Sequence, residues 1–249
     1  PRLKKYVAFS RLGFGRKVAR TESEDFIHWS PPELVLEPDI RDGANTQFYG
    51  ITISLYEGVY VGALWMFYIQ EKSVGRIDFQ FCWSRDGKQW QRDPERRILL
   101  GNGPEGAWDH GDMRGASHFT VLDNEIRLYY AGSEADHGRG AELGKGMDIG
   151  FATLRRDGFM SLDAGPDGGT LLTKTLAYPG GELCFNLDAP QGEARVAVLD
   201  AASGRTLAGG TLSGDTRRAA VPMHAVEKGA LLKISVTLKD AALYSFWFE

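Results

Sequence analysis

The sequence is poor in cysteine, in long apolar runs and in blocks of one charge. Its two cysteines, Cys82 and Cys184, each lie inside a short apolar run, Phe81-Cys82-Trp83 and Leu183-Cys184-Phe185. They read as separate buried thiols, so neither a disulfide framework nor a cysteine metal site is expected. The longest apolar stretch, Gly58 to Ile69, is far shorter than the roughly 18 residues of a membrane-crossing helix, and strand-forming residues fill it. No membrane partner is expected. Lys+Arg 29 stand against Asp+Glu 33, a formal net charge of -4, with no run of like charges. Nothing there neutralises a phosphate backbone, so nucleic acid is not an expected partner either. No motif calls for a cofactor or a metal. What is present is a globular composition, 43% hydrophobic, with 31 glycines and 10 prolines, which suits many short strands and tight turns. Proline stands first and Leu3 to Phe9 already reads as a strand, so the chain is expected to begin inside a domain. A secretion signal would lie upstream, and location is left open.

Internal similarity is the strongest signal. Ser23-Glu24-Asp25-Phe26-Ile27-His28-Trp29 and Ser84-Arg85-Asp86-Gly87-Lys88-Gln89-Trp90 share the pattern Ser-x-Asp-x-x-x-Trp at a separation of 61 residues. A degenerate third copy, Arg155 to Ser161, keeps Asp157-Gly158 and loses the Trp. Each follows an alternating strand: Lys17 to Thr21, Ile77 to Trp83 and Ile149 to Leu154. The Asp caps a tight turn, Gly accepts positive φ, and Trp covers the hairpin that the turn closes. Neighbouring strands recur as well. Gly58 to Tyr68 and Glu125 to Gly132 read as second strands, entered from first strands Gln47 to Leu55 and Ala116 to Leu122. Four antiparallel strands with the Trp turn between the third and fourth make a propeller blade.

The expected fold is therefore all-β: a partial propeller of about three blades over 1–165, followed by an antiparallel β-sandwich over 166–249. The first blade starts at its second strand, near Leu3. Candidate sandwich strands are Thr170 to Thr175, Leu183 to Leu187, Ala194 to Leu199, Arg217 to Val221, Leu231 to Leu238 and Ala242 to Phe248. Leu232, Ile234, Val236 and Leu238 alternate with polar neighbours, which assigns one dry face. A propeller ring takes typically four or more blades, so a missing N-terminal segment or a partner chain is expected to complete it.

In a propeller the loops from strand four to the next strand one, and from strand two to strand three, open on one face. The candidates lie there. Matching Leu55 to Leu122, an offset of 67, sets Asp42 opposite Asp109 and Asn45 opposite Asp112. Paired carboxylates at a polar cleft suit glycosidic chemistry, where one group protonates the leaving oxygen while another assists water or forms the intermediate. Asp109 has Trp108, His110 and Arg114 beside it, residue types that stack a sugar, relay a proton and bind a hydroxyl. Glu134 and His137 lie in the long loop after a second strand, Glu134 as a candidate acid and His137 as a group that orients it or binds substrate. Tyr49, near the start of a first strand, is a candidate channel residue. The catalytic candidates are Asp42, Asp109 and Glu134; the substrate-binding candidates are Tyr49, Trp108, His110, Asp112, Arg114 and His137.

With these residues in view, Ser84 to Trp90, Leu128-Tyr129-Tyr130-Ala131-Gly132 and Ile149 to Leu154 resemble the blades of five-bladed propeller glycosidases of glycoside hydrolase families 32 and 43. Asp109-His110-Gly111-Asp112-Met113-Arg114-Gly115-Ala116 is similar to an Asp-x-Gly-x-x-Tyr-Ala stretch of family 32, with Arg114 at the Tyr position. The resemblance covers roughly Leu3 to Gly165. It implies a five-bladed propeller with an appended sandwich, a carbohydrate substrate, and hydrolysis by a nucleophile or base Asp with an acid Glu. The family's nucleophile belongs to a first blade that this chain does not contain, and Arg92-Asp93-Pro94, which has the letters of a family motif, follows the Trp turn on the wrong face. The alternatives are a carbohydrate-binding propeller without catalysis and a scaffold completed by a partner chain.

Overall fold

The computed structural model describes residues 4–12 and 15–249; Leu3 lies outside the described residues. Among them every regular element is a strand. The chain divides into two compact units, Pro1–Leu122 with Ile126–Thr153, and Asp123–Glu125 with Leu154–Glu249.

The first unit is the partial propeller. Its first blade is β1 (Tyr6–Leu12), β2 (Lys17–Ser23) and β3 (Glu33–Leu36), hydrogen-bonded in that order. The second blade orders β4 (Thr46–Tyr56), β5 (Val59–Glu71), β6 (Val74–Ser84) and β7 (Trp90–Arg92), with β8 (Ile98–Leu100) also paired to β6. The third blade holds β9 (Asp112–Gly115) and β10 (Thr120–Val121), both on β11 (Glu125–Ser133), and then β12 (Asp148–Arg155). Two differences from the sequence reading stand out. The first strand expected over Ala116 to Leu122 is split into β9 and β10, and β9 starts earlier, at Asp112. The third blade also lacks a fourth strand in its own sheet among the described residues, so it is not whole.

The repeated turn has the same wiring in both full copies. Ser23 Oγ accepts from the amides of Asp25 and Phe26, and Asp25 Oδ1 from those of Ile27 and His28. Ser84 Oγ likewise accepts from Asp86 and Gly87, and Asp86 Oδ1 from Lys88 and Gln89. Gly87 takes φ 72 at the position where the first copy puts Phe26 at φ 66. Glycine is the unstrained residue there. In the third copy Arg155 replaces the serine, its carbonyl accepts from the Gly158 amide, and the positive φ moves to Asp157.

Alternation along β5 and β6 gives the second blade two faces. Leu64, Met66 and Cys82 pack with Val18, Phe48 and Trp90, joined by Phe9 and Leu36 of the first blade. On the other face Phe79 meets Tyr130 of the third blade edge-on. Thr52 Oγ1 donates to the Ala116 carbonyl at 2.6 Å, which ties β4 to the chain leaving β9.

The second unit is the C-terminal sandwich, a single seven-stranded sheet bent over its own core. Its strands are β13 (Leu162–Ala164), β14 (Gly169–Leu172), β15 (Leu176–Ala177), β16 (Leu183–Asp200), β17 (Thr206–Val221), β18 (Leu231–Lys239) and β19 (Ala241–Phe248). The two strands expected over Leu183 to Leu187 and Ala194 to Leu199 are one continuous β16. Its first half pairs with β19 and its second half with β18, and register shifts between Ala189 and Ala194 in its pairing with β17 mark the bend. Leu232, Ile234, Val236 and Leu238 are all buried, as alternation predicts, and each such side chain contributes about 1.5–3 kcal/mol. Both cysteines are buried and unpaired.

Candidate functional site

The site is assembled where the innermost strands of the second and third blades meet. On β4 the register slips between Phe48 and Gly50, so Tyr49 is an extra residue that the ladder with β5 does not pair. Such a bulge re-aims the side chain it inserts. Gly50 makes the bulge possible, because a Cβ there would lie 2.5 Å from the Trp65 ring. The Tyr49 ring then stands edge-on to Phe67 and to His137, with centroids 5.7 and 4.7 Å away.

His137 comes from the long loop after β11, and that part of the loop is pinned. The amides and carbonyls of His137 and Gly75 bond reciprocally at 2.8 and 3.2 Å, which ties the loop to the start of β6. Asp112, the first residue of β9, donates its amide to the Ala135 carbonyl. These bonds bring Asp112, Arg114 and His137 together, although 25 residues separate the first from the last.

Asp112 is almost fully buried, and its carboxylate is shared. Oδ2 lies 2.7 Å from Arg114 Nη2 and 3.0 Å from His137 Nδ1, while Oδ1 accepts from Arg114 Nε at 3.3 Å. Arg114 Nη2 also lies 3.2 Å from Nδ1, so the ring faces both a donor and the carboxylate; in the tautomer with the proton on Nδ1 it donates to Asp112. The lone pair of His137 is then on Nε2, which has no hydrogen-bond partner among the described residues. Asp112 thus orients His137 as an acceptor or proton-transfer group.

Around Tyr49 the charge is positive. The guanidinium carbons of Arg11, Arg16 and Arg114 lie 5.0, 5.5 and 5.5 Å from its ring centroid. Arg16 also bonds the neutral Gln47 side chain at 2.6 Å. Arg11, Arg16 and Gln47 were not candidates on sequence. The two arginines come from β1 and its turn, and only the fold sets them beside a tyrosine more than 30 residues later.

The remaining candidates fall into separate groups. Trp108 stacks on Tyr130 at 5.2 Å, and Tyr130 donates to Asp109 Oδ2 at 2.7 Å. Burial, and next the Asp109 carboxylate, push the Tyr130 hydroxyl well above its ordinary range. The other Asp109 oxygen has no hydrogen-bond partner among the described residues. His110 bridges the Gly103 carbonyl at 3.0 Å and Arg76 at 2.8 Å, so it serves to hold its own loop. Glu134 is exposed and bonded to Lys145.

Asp42 is enclosed. Its side chain has no accessible surface and makes two bonds to Arg92, at 2.5 and 2.7 Å. Burial drives its pKa up, but Arg92 and the Asp39 amide outweigh burial, and the group is held below its ordinary value. Arg92 continues to Gln80 at 2.6 Å, Gln80 to the Tyr68 hydroxyl at 3.4 Å, and that hydroxyl to Asp78 at 3.1 Å. Buried Asp78 is raised to about 7 by desolvation, against which the Tyr68 bond acts. Asp42 and Asp109 share no partner. Asp42's partner Arg92 bonds Gln80, on one face of the second blade, whereas Asp109's partner Tyr130 meets Phe79 on the other.

No protein-family model matches the sequence, and no curated protein matches it. Solved structures do. An N-acetylgalactosamine deacetylase from F. plautii, in complex with blood group B trisaccharide, matches at 18% identity and a TM-score of 0.49, over 64% of this chain and 48% of that one. The family 32 β-fructofuranosidase of Bombyx mori matches at 12% identity and a TM-score of 0.37, over 97% of this chain and 63% of that one. A family 43 arabinoxylan arabinofuranohydrolase from Bacillus subtilis matches at 11% identity and a TM-score of 0.33, over 93% and 59%. The chain is thus similar, at low identity, to glycoside hydrolase structures of families 32 and 43, and it spans less than two thirds of each of these three proteins.

Proposed function

We propose that the propeller unit takes a glycan at the Tyr49, Asp112, Arg114 and His137 cluster and takes part in hydrolysing a glycosidic bond there. The observation that carries the reading is the His137–Asp112 pair, which leaves an oriented Nε2 unpartnered beside an aromatic ring. In this reading His137 moves the proton at the leaving oxygen or the attacking water, and Asp112 holds the ring in the required tautomer. Arg114 and the Tyr49 hydroxyl bond sugar oxygens. Asp109, bonded to Tyr130 in a separate group, has no part in this reading. Asp42 and Glu134 have other duties: the first neutralises a buried arginine and the second pairs with an exposed lysine.

One observation favours a second reading, glycan binding without turnover. Both oxygens of Asp112 are already engaged by the protein, so it does not act as a nucleophile in this arrangement. A panel of plant and microbial glycans, offered to the full chain, separates the two. Hydrolysis that falls about 10²–10⁴-fold in Asp112→Asn and in His137→Gln, with unchanged melting temperature, supports the first. Saturable binding with no reducing ends released supports the second. Undiminished turnover or binding in both variants removes the site.

A further inference from the structure

The cationic residues around Tyr49 exceed what the protein itself neutralises. Enclosed arginines are matched, Arg20 with Glu22 and Arg92 with Asp42, whereas beside Tyr49 Arg11 is exposed and Arg16 half-buried. Beside Tyr49, three guanidinium groups surround one ring and only Arg114 has a carboxylate, which it shares with His137. Among the described residues Arg11 has no hydrogen-bonding or ionic partner, and Arg16 has only Gln47. Arg16 additionally lies 5.1 Å from the Phe67 centroid, so aromatic faces hold it in place while, among the described residues, only its Nη1 is spent, on Gln47.

Like charges gathered at one half-buried ring repel one another, and the aromatic faces return only part of that cost. An anion between them removes the repulsion. Planar guanidinium groups offer paired N–H donors whose spacing matches the oxygens of a carboxylate or of a phosphate or sulfate group. The Tyr49 hydroxyl adds one more donor.

We propose that this cluster is an anion subsite, and that the glycan bound at the site carries a negative group, held by Arg11, Arg16 and Arg114. The inference rests on the glycan reading for its sugar and on the arginines alone for its charge. A uronic acid and a phosphorylated or sulfated sugar share the chemistry that these residues recognise.

The test is calorimetric titration of the full chain, in a buffer free of phosphate and sulfate, with glucose, glucuronate, glucose 6-phosphate and inorganic phosphate. The expected result is at least tenfold tighter binding of an anionic probe than of glucose. In Arg11→Gln/Arg16→Gln, with an unchanged melting temperature, that preference should shrink at least tenfold, and Arg16→Lys should retain part of it. Preference for glucuronate assigns a carboxylate, and preference for glucose 6-phosphate assigns a phosphate ester. Phosphate bound while every sugar is refused keeps the anion subsite and defeats the glycan reading. Glucose bound as tightly as the anionic probes, or an anion preference untouched by the double substitution, overturns the subsite and leaves the glycan reading standing.

Discussion

The second blade has two assemblies of Asp, Arg and Tyr beside it, and they differ in how their charges are met. In the first, Asp42, Arg92, Gln80, Tyr68 and Asp78 form an unbroken chain in which the Asp42 and Arg92 side chains are 0% and 5% exposed. In the second, Asp112 is also buried, but Arg114 is 39% exposed and, among the described residues, His137 Nε2 has no hydrogen-bond partner and Arg11 and Arg16 have no anion. The same residue types therefore do opposite things. In the first the charged pair is met within the sheet, with Arg92 Nε left unbonded among the described residues, whereas the second leaves a histidine nitrogen and two arginines for a ligand.

The largest effect expected from this contrast is on stability. Arg92→Met takes both close bonds from the enclosed Asp42 and leaves it Arg96 at 3.5 Å and the Asp39 amide, which should cost about 3 kcal/mol in urea unfolding, whereas Arg114→Met, whose guanidinium is the more exposed and whose partner Asp112 keeps His137, should cost less. Restoring balance with Asp42→Leu in the Arg92→Met background should recover much of the loss. Equal costs for the two arginines would erase the distinction between the assemblies.

A smaller effect concerns Asp78. Its folded pKa, about 7, lies above the ordinary 3.8, so the folded protein keeps a proton that the unfolded chain releases. That contribution is fully present below about pH 4 and is lost as pH rises through 7. Asp78→Asn carries no such penalty. It should be more stable than the parent by about 3 kcal/mol at pH 8, with the gap closing toward pH 4. Parallel stability curves for the two proteins would show that Asp78 does not titrate in this way.

How much of this was legible in the sequence depended on range. The Ser-x-Asp-x-x-x-Trp turns are local, each bond spans two or three residues, and both full copies carry the expected Asp cap, while the serine's two bonds emerge only in the structure. The alternation along β18 is local too. The strand β16 was read as two because its middle is polar and bears Gly192, while its continuity comes from β17 alongside. Asp42 reads as a channel carboxylate because its partner lies 50 residues away, in the Arg92-Asp93-Pro94 segment, which follows the Trp turn on the other face. Tyr49 was a candidate by position, but its bulge depends on the contact between Gly50 and Trp65 across the sheet. No pattern in the sequence brings Arg11 and Arg16 to that ring. The sequence marks Asp112 and His137 as substrate contacts; their mutual bond follows from the pinning of the loop to Gly75.

The most direct test of the open assembly is a long-range ¹H–¹⁵N NMR spectrum of the five histidines, with and without the glycan that the panel selects. The account predicts that Nδ1 of His137 carries the proton it shares with Asp112, and that its Nε2 resonance moves on glycan addition while that of His28 does not. A His137 ring protonated on Nε2, or one whose resonances ignore a bound glycan, would contradict it.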